Sequence, residues 1–189
     1  MTISQKFQLL ISWRHIPYNA RGKAFFFYFK RRKLPLLKVV SFPFTESACS
    51  TGWVQHGKSC YIVIDIPTAE WSAARRQCLK FGGDLAKITS NHENQFVYNL
   101  SGNQVYTTTG FGVWLGLHRK ADNKFYWTDG TLLAGYNNWN AGEPNNPLTE
   151  KCAHLYGKSN SARAKWNDLA CTLNGNGGAP VILCQKALK

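Results

Sequence analysis

A chain of 189 residues has room for one domain with an extension or for two very small domains. Hydrophobic residues make up 44% of it and aromatic residues 14%, which is enough for a sizeable core. The formal net charge of +13 is uneven, because residues 1–48 hold nine Lys or Arg and one acid, whereas residues 49–189 hold fourteen and nine.

This charge distribution does not predict a nucleic-acid partner. Such a protein needs a concentrated basic face or a recognition motif, and the sequence has neither an RNP-like aromatic motif nor a Cys/His finger. Attraction to anionic surfaces stays open, although solvated surface charge is the simpler interpretation.

The sequence predicts two parts, an N-terminal segment at residues 1–46 and a domain at residues 47–189. The apolar runs of the N-terminal segment are short, and charges interrupt each of them, so no transmembrane anchor is predicted. Residues 34–48 follow the order of a signal peptide only in part, because Lys38 and two prolines break the apolar stretch. We interpret residues 1–46 as an atypical leader, a propeptide, a basic N-terminal extension or an incorrectly assigned N-terminus.

Six cysteines all lie after position 48, and they leave fifteen pairings open. An even set without a CxxC pair favours disulfides, and disulfides persist in oxidising compartments. The sequence therefore predicts a secreted, extracellular protein.

From Cys49 onward the chain predicts regular elements. A turn at Gly57 predicts a small hairpin flanked by Cys49 and Cys60, and the β-branched run 61–66 predicts a buried strand that Pro67 ends.

Two helices follow this strand. The first is predicted to be capped by Thr68, to carry its apolar stripe on Trp71, Ala74, Cys78 and Leu79, and to stop at Gly82 and Gly83. The second begins at Ser90, where Ser90 and Glu93 form a capping-box pattern, and its stripe is Phe96, Val97 and Leu100. Asn99 starts an N-glycosylation triplet within this helix, so Asn99 is the predicted glycosylation site.

After Gly102 the pattern changes to short strands joined by long loops. The strand candidates are residues 113–117, 125–127, 152–156, 165–166 and 181–184. Residues 129–150 have too little periodicity to bury themselves, and loops of that length are usually functional or disordered.

These loops contain an oxygen-rich group of side chains. Glu143, Asn145 and Glu150 are followed by Asn167 and Asp168, at spacings that suit turns rather than one helix. Such oxygens suit Ca²⁺, whereas Zn²⁺ prefers thiolates and imidazoles. Pro144 separates two of the candidate ligands, and a cis bond before it would turn both side chains to one side. Calcium is therefore the predicted cofactor.

An ordered series of landmarks resembles the long form of the C-type lectin domain, over about 140 of the 189 residues. The landmarks are Cys49-x2-Gly-Trp53, Cys60-Tyr61, Trp71-x2-Ala74-x3-Cys78, Gly83-x-Leu85-Ala86-x-Ile88, Glu93-x2-Phe96, Trp114-Leu-Gly-Leu117, Glu143-Pro-Asn145, Cys152, Trp166-Asn-Asp168-x2-Cys171 and Cys184. The resemblance implies an α+β fold with two helices, two small antiparallel sheets, a long calcium-binding loop region and three disulfides. The implied disulfides are Cys49–Cys60, Cys78–Cys184 and Cys152–Cys171.

The resemblance also implies a function. Five residues fall on the family's principal calcium and carbohydrate site, namely Glu143, Asn145, Glu150, Asn167 and Asp168. In the family, two sugar hydroxyls complete the calcium shell, and the Glu-Pro-Asn order resembles members that bind mannose-type sugars. Asn146, Lys151 and residues 118–120 replace the acids of an auxiliary site, so one calcium is expected. The Gly/Asn-rich insert at residues 174–178 has no assigned role.

Three classes of function are compared. The first is a secreted calcium-dependent lectin for mannose-type glycans on cell or microbial surfaces, as in innate immunity, with a homo-oligomer supplying avidity. The second is a C-type lectin-like module that binds a protein or an anionic surface without sugar. The third, an enzyme, is not predicted, because the five His are scattered and the acids are assigned to calcium.

Overall fold

The computed structural model describes residues 48–102, 110–174 and 178–189. The proposed leader at residues 1–46 and most of the 174–178 insert lie outside the described residues. Within the described ranges the chain forms two helices and eight strands. In chain order these are β1 Val54–His56, β2 Ser59–Ile64, α1 Trp71–Lys80, β3 Asp84–Leu85, α2 Asn91–Ser101, β4 Val113–Arg119, β5 Phe125–Trp127, β6 Cys152–Leu155, β7 Trp166–Leu169 and β8 Val181–Ala187.

The strands form one mixed sheet rather than two separate ones. Its order is β1-β2-β8-β4-β6-β7, with β3 added beside β8 and β5 beside β4. All of these pairs are antiparallel except β4 and β8, which run parallel and pair Val113 with Val181 and Trp114 with Ile182. The α+β architecture that the resemblance implied is therefore present, and the two predicted antiparallel groups are joined by this short parallel contact.

Helix α1 begins later than its predicted cap. Glu70 is the N-cap residue and makes no side-chain cap hydrogen bond, whereas Thr68 Oγ1 donates to the carbonyl of Ile66. The Trp71 N–H donates to the Cys171 carbonyl at 2.9 Å, so a distant backbone group replaces a capping side chain. The Thr68 prediction was wrong for this reason. Leu79 is also 54% exposed and lies off the buried stripe.

Helix α2 begins as predicted, at Ser90. The Ser90 hydroxyl accepts a hydrogen bond from the Glu93 N–H at 3.1 Å. The Glu93 carboxylate does not complete the capping box by accepting from the Ser90 N–H. It accepts instead from the Thr89 N–H and hydroxyl and from the Tyr61 hydroxyl. A largely buried carboxylate is thus fully hydrogen-bonded and ties α2 to β2.

One of the hydrophobic clusters of the core contains Trp166. Its ring makes edge-to-face contacts with Trp127, Tyr136 and Trp139 at centroid separations of 5.8–5.9 Å. Its indole N–H donates to Asn94 Oδ1 at 2.7 Å, which connects β7 to α2. Trp166 is fully buried, so the first residue of β7 anchors the strand in the core.

The six cysteines form the three disulfides that the family resemblance implied. Cys49 pairs with Cys60, Cys78 with Cys184, and Cys152 with Cys171, at sequence separations of 11, 106 and 19. Cys78 and Cys184 are both fully buried and join α1 to β8. Cys152 and Cys171 hold the start of β6 beside the segment that follows β7.

The helices of the described residues are too short and too polar to cross a membrane.

Candidate functional site

The loop between β5 and β6 is fastened to the edge of β7. The Trp166 N–H donates to the Asn138 carbonyl, and the Asn140 N–H donates to the Trp166 carbonyl, both at 2.8 Å. The Glu143 N–H then donates to the Asn140 carbonyl at 3.0 Å, and the Glu143–Pro144 peptide bond is cis. The sheet therefore positions the segment that carries Glu143 and Asn145.

Strand β7 supplies the other side of the site. Trp166 faces the core, and the next two residues are Asn167 and the fully buried Asp168. Asp168 Oδ1 accepts from the Asn145 N–H at 2.9 Å. This hydrogen bond brings the loop and β7 together, so Glu143, Asn145, Asn167 and Asp168 share one region of the surface.

Two buried oxygens in this region have no hydrogen-bond partner among the described residues. They are Glu143 Oε2 and Asn145 Oδ1, one on each side of Pro144. A buried polar atom without a partner is destabilising by about 1–3 kcal/mol, so native structures normally satisfy it with protein, water or an ion. Both atoms are of the type that a hard cation binds.

Negative charge is concentrated around Glu143. Burial raises the pKa of Glu143, and the nearby negative charges of Asp168 and Glu150 raise it further. Glu150 lies at the same loop end, where its Oε2 accepts from Asn146 Nδ2 at 3.1 Å. The pKa of Glu143 therefore responds to the charges of both other predicted carboxylates.

His154 lies behind Asn167 and was not singled out from the sequence. Its ring is fully buried, burial lowers its pKa to about 4, and its Nδ1 is 2.5 Å from the Phe111 carbonyl. A carbonyl can only accept, so Nδ1 carries the proton and Nε2 accepts, facing Asn167 Nδ2 at 3.5 Å. Asn167 Nδ2 also donates to the Asp168 carbonyl, which leaves Asn167 Oδ1 for a ligand.

Arg119 was predicted only as part of a basic stretch, yet it is built into the site. Its side chain is 6% exposed, and its Nη2 lies 2.6 Å from Asp168 Oδ2. It also donates to the carbonyls of Asn145 at 3.1 Å and Glu150 at 3.3 Å. Nothing in the local sequence pattern signals this contact, because the partners are 26 to 49 residues away.

The donor set fits calcium through mixed oxygens rather than through carboxylates alone. In the described part of the chain, no three His, Cys, Asp or Glu side chains come close enough together to hold a metal. A cation here therefore needs the amide oxygens of Asn145 and Asn167 beside the acids, and such a mixture suits Ca²⁺.

Comparison with known proteins identifies the class to which this fold and this loop belong. The sequence profile of the lectin C-type domain matches residues 68–176, more than half of the chain. The chain belongs to the C-type lectin domain family.

Individual relatives are similar over most of their length. A perlucin-like protein of Mytilus galloprovincialis is 31% identical over 130 residues, which are 68% of this chain and 80% of that protein. The galactose-specific lectin nattectin of Thalassophryne nattereri is 29% identical over 147 residues, which are 75% of this chain and 82% of that protein. The family thus includes carbohydrate-binding relatives of this chain.

A solved structure of a different kind has the same fold. A calcium-independent type II antifreeze protein matches with a TM-score of 0.61 and 27% identity, covering 75% of this chain and 96% of its own. The fold therefore does not decide between a sugar site and another ligand.

Proposed function

We propose that this protein is a secreted calcium-dependent lectin that recognises mannose-type glycans. The observation that supports it best is the pair of buried, unpartnered oxygens on Glu143 and Asn145, beside the acid pair Glu143 and Asp168. A buried set of oxygens with excess negative charge is the environment that a calcium ion stabilises.

The proposed ligands are Glu143, Asn145, Glu150, Asn167 and Asp168. Bound calcium would provide an electrophilic centre that neighbouring sugar hydroxyls can coordinate. The carboxylates would accept hydrogen bonds from those hydroxyls, and the amide nitrogens would donate to them. The tie from Asp168 to the Asn145 N–H holds two of these residues in place before any ligand arrives.

The mannose preference rests on the order of acid and amide around Pro144. Glu143 precedes the proline and Asn145 follows it. This order presents an acceptor on one side and a donor on the other, and reversing it would present the opposite polarity to a hydroxyl pair. Since nattectin is a galactose-specific relative, sugar preference needs its own measurement.

Secretion and avidity complete the proposal. Three disulfides are consistent with an oxidising compartment. A shallow site that contacts two hydroxyls binds weakly, so we propose a homo-oligomer that engages cell or microbial surface glycans at several points, as in innate immunity. We propose no catalytic role, because the clustered acids are assigned to calcium.

One observation favours a second candidate, a module that binds a protein or an anionic surface without calcium or sugar. Arg119 Nη2 lies 2.6 Å from Asp168 Oδ2 and neutralises its charge. A module without calcium would need such a neutralising partner for a buried carboxylate. The antifreeze protein of the same fold is calcium-independent.

Affinity chromatography separates these two candidates. We expect the oxidised chain to be retained on immobilised mannose with calcium, to be released by a chelator, and to be retained less on galactose. A folded protein that ignores both columns, with calcium or without it, would overturn the sugar proposal and favour the second candidate.

Calcium binding should depend on pH. The pKa of Glu143 is higher in the folded, calcium-free protein than in the unfolded chain. The protonated Glu143 side chain therefore contributes its full share to the free energy of unfolding below the unfolded pKa. That contribution is lost as the pH rises through the folded pKa. Calcium needs the ionised carboxylate, so protons compete with it. We expect the calcium-induced rise in melting temperature to be clear at about pH 7.5 and to shrink by about pH 5. Scanning fluorimetry at limiting calcium measures this, and a constant rise across the range would count against direct coordination.

A further inference from the structure

Arg119 connects strand β7 to the loop that carries Asn145 and Glu150. Its guanidinium contacts the Asp168 carboxylate on β7, the Asn145 carbonyl beside the cis peptide bond, and the Glu150 carbonyl at the end of the loop. The same guanidinium lies over the Phe125 ring at 4.5 Å, and it donates to Asn123 Oδ1 at 3.1 Å. Five groups therefore hold the side chain in one position.

This position places a permanent positive charge among the acids. Asp168 is fully buried, and the Arg119 side chain is 6% exposed, so water screens the pair weakly. Guanidinium groups stay charged at all physiological pH values and present several donors in a fixed plane. Arg119 therefore binds the oxygens of Asp168 and of two carbonyls, as a metal ion would.

We propose that Arg119 is a resident cation of the site, a positioning residue that keeps the loop 142–150 ordered when calcium is absent. The Asp168 carboxylate and the Asn145 and Glu150 carbonyls are held together by its guanidinium, and calcium then adds to a loop that is already formed. The calcium half of this inference rests on the proposed function, whereas the ordering of the calcium-free loop does not.

Hydrogen exchange of the whole oxidised chain in chelator tests this. Replacing Arg119 by methionine keeps an unbranched apolar side chain at this position but removes the charge and all donors. We expect amide exchange in residues 142–151 to become at least about tenfold faster, because a lost charge-assisted network opens the loop locally. Amides paired between β2 and β8 should keep their exchange rates, which separates a local effect from general unfolding.

Lys120→Met is the matched control. Lys120 is the next residue and is exposed, and its ammonium contacts the Tyr126 ring at 4.1 Å. The Lys120→Met variant removes one positive charge, as Arg119→Met does, but Lys120 does not contact Asp168. Amide exchange in the loop should therefore not change in this control. An equal increase in both variants would show a general charge effect and would overturn the proposal, as would unchanged exchange in Arg119→Met.

Calcium titration completes the test. Adding calcium should slow loop exchange more in Arg119→Met than in the unchanged protein, since the ion then replaces a missing cation. Loss of all calcium protection in the variant alone would overturn the proposal, because Arg119 would then be required for calcium rather than standing in for it. If neither protein responds to calcium, the calcium proposal fails and the chelator comparison still decides the role of Arg119. If Arg119→Met does not fold, Arg119→Gln carries the same measurements with the same outcomes.

Discussion

Replacing Cys78 and Cys184 together by alanine is expected to lower the free energy of unfolding by about 4–5 kcal/mol. The bridge closes a loop with a sequence separation of 106, so its removal restores much conformational entropy to the unfolded chain. Both side chains are fully buried between α1 and β8, so small cavities add to the loss. Urea unfolding followed by tryptophan fluorescence measures the difference.

The Cys49–Cys60 bridge is the matched control. Its sequence separation is 11, and the same chain-entropy argument predicts a loss of about 3 kcal/mol for the corresponding double alanine variant. Equal losses for the two variants would contradict the explanation by loop length. In that case local packing around each bridge, rather than loop closure, would have to set the loss.

Exchanging the acid and the amide around Pro144, as Glu143→Gln with Asn145→Asp, is expected to transfer retention from mannose to galactose. The net charge of the chain stays the same, while the donor and the acceptor trade places toward the sugar. Losing a hydrogen bond to a charged group is worth about 1.5–3 kcal/mol, so mannose binding should weaken at least about tenfold. Frontal chromatography on both sugars with saturating calcium measures this.

A charge-matched exchange at exposed positions outside the site serves as the control. Glu70→Gln with Asn91→Asp makes the same two chemical changes on the surfaces of α1 and α2, and it should leave retention on both sugars unchanged. If the Glu143 and Asn145 exchange also changes nothing, specificity lies in the surrounding loops and not in the hydroxyl contacts.

The elements that local chemistry determines could be predicted from the sequence. The start of α2 at Ser90 follows from a capping side chain and a neighbouring acid, and the short strands follow from β-branched and aromatic runs. The Thr68 cap failed because the first N–H of α1 is satisfied by the Cys171 carbonyl, a partner 100 residues away in the chain. No local pattern contains such a contact.

The candidate site also has parts that the sequence predicts and parts that depend on distant contacts. Residue type and family resemblance predicted the five ligands, and that prediction stays a proposal, although Glu143, Asn145 and Asp168 lie close together in the structure. His154 and Arg119 were not found as partners of that region, because their roles depend on the register of β4, β6 and β7. The parallel contact of β4 with β8, which joins the two halves of the sheet, is equally non-local.

Strand β7 has a practical meaning for anyone who wishes to redesign the ligand preference of this scaffold. Trp166 fixes the strand in the core, and Asp168, which is also fully buried, pairs with Arg119 and the Asn145 N–H. An insertion or deletion of one residue there would turn the whole strand over, so that core and site would be lost together. A combinatorial library should therefore vary the exposed part of the loop, where Leu148 is 88% exposed, and keep residues 166–169 constant.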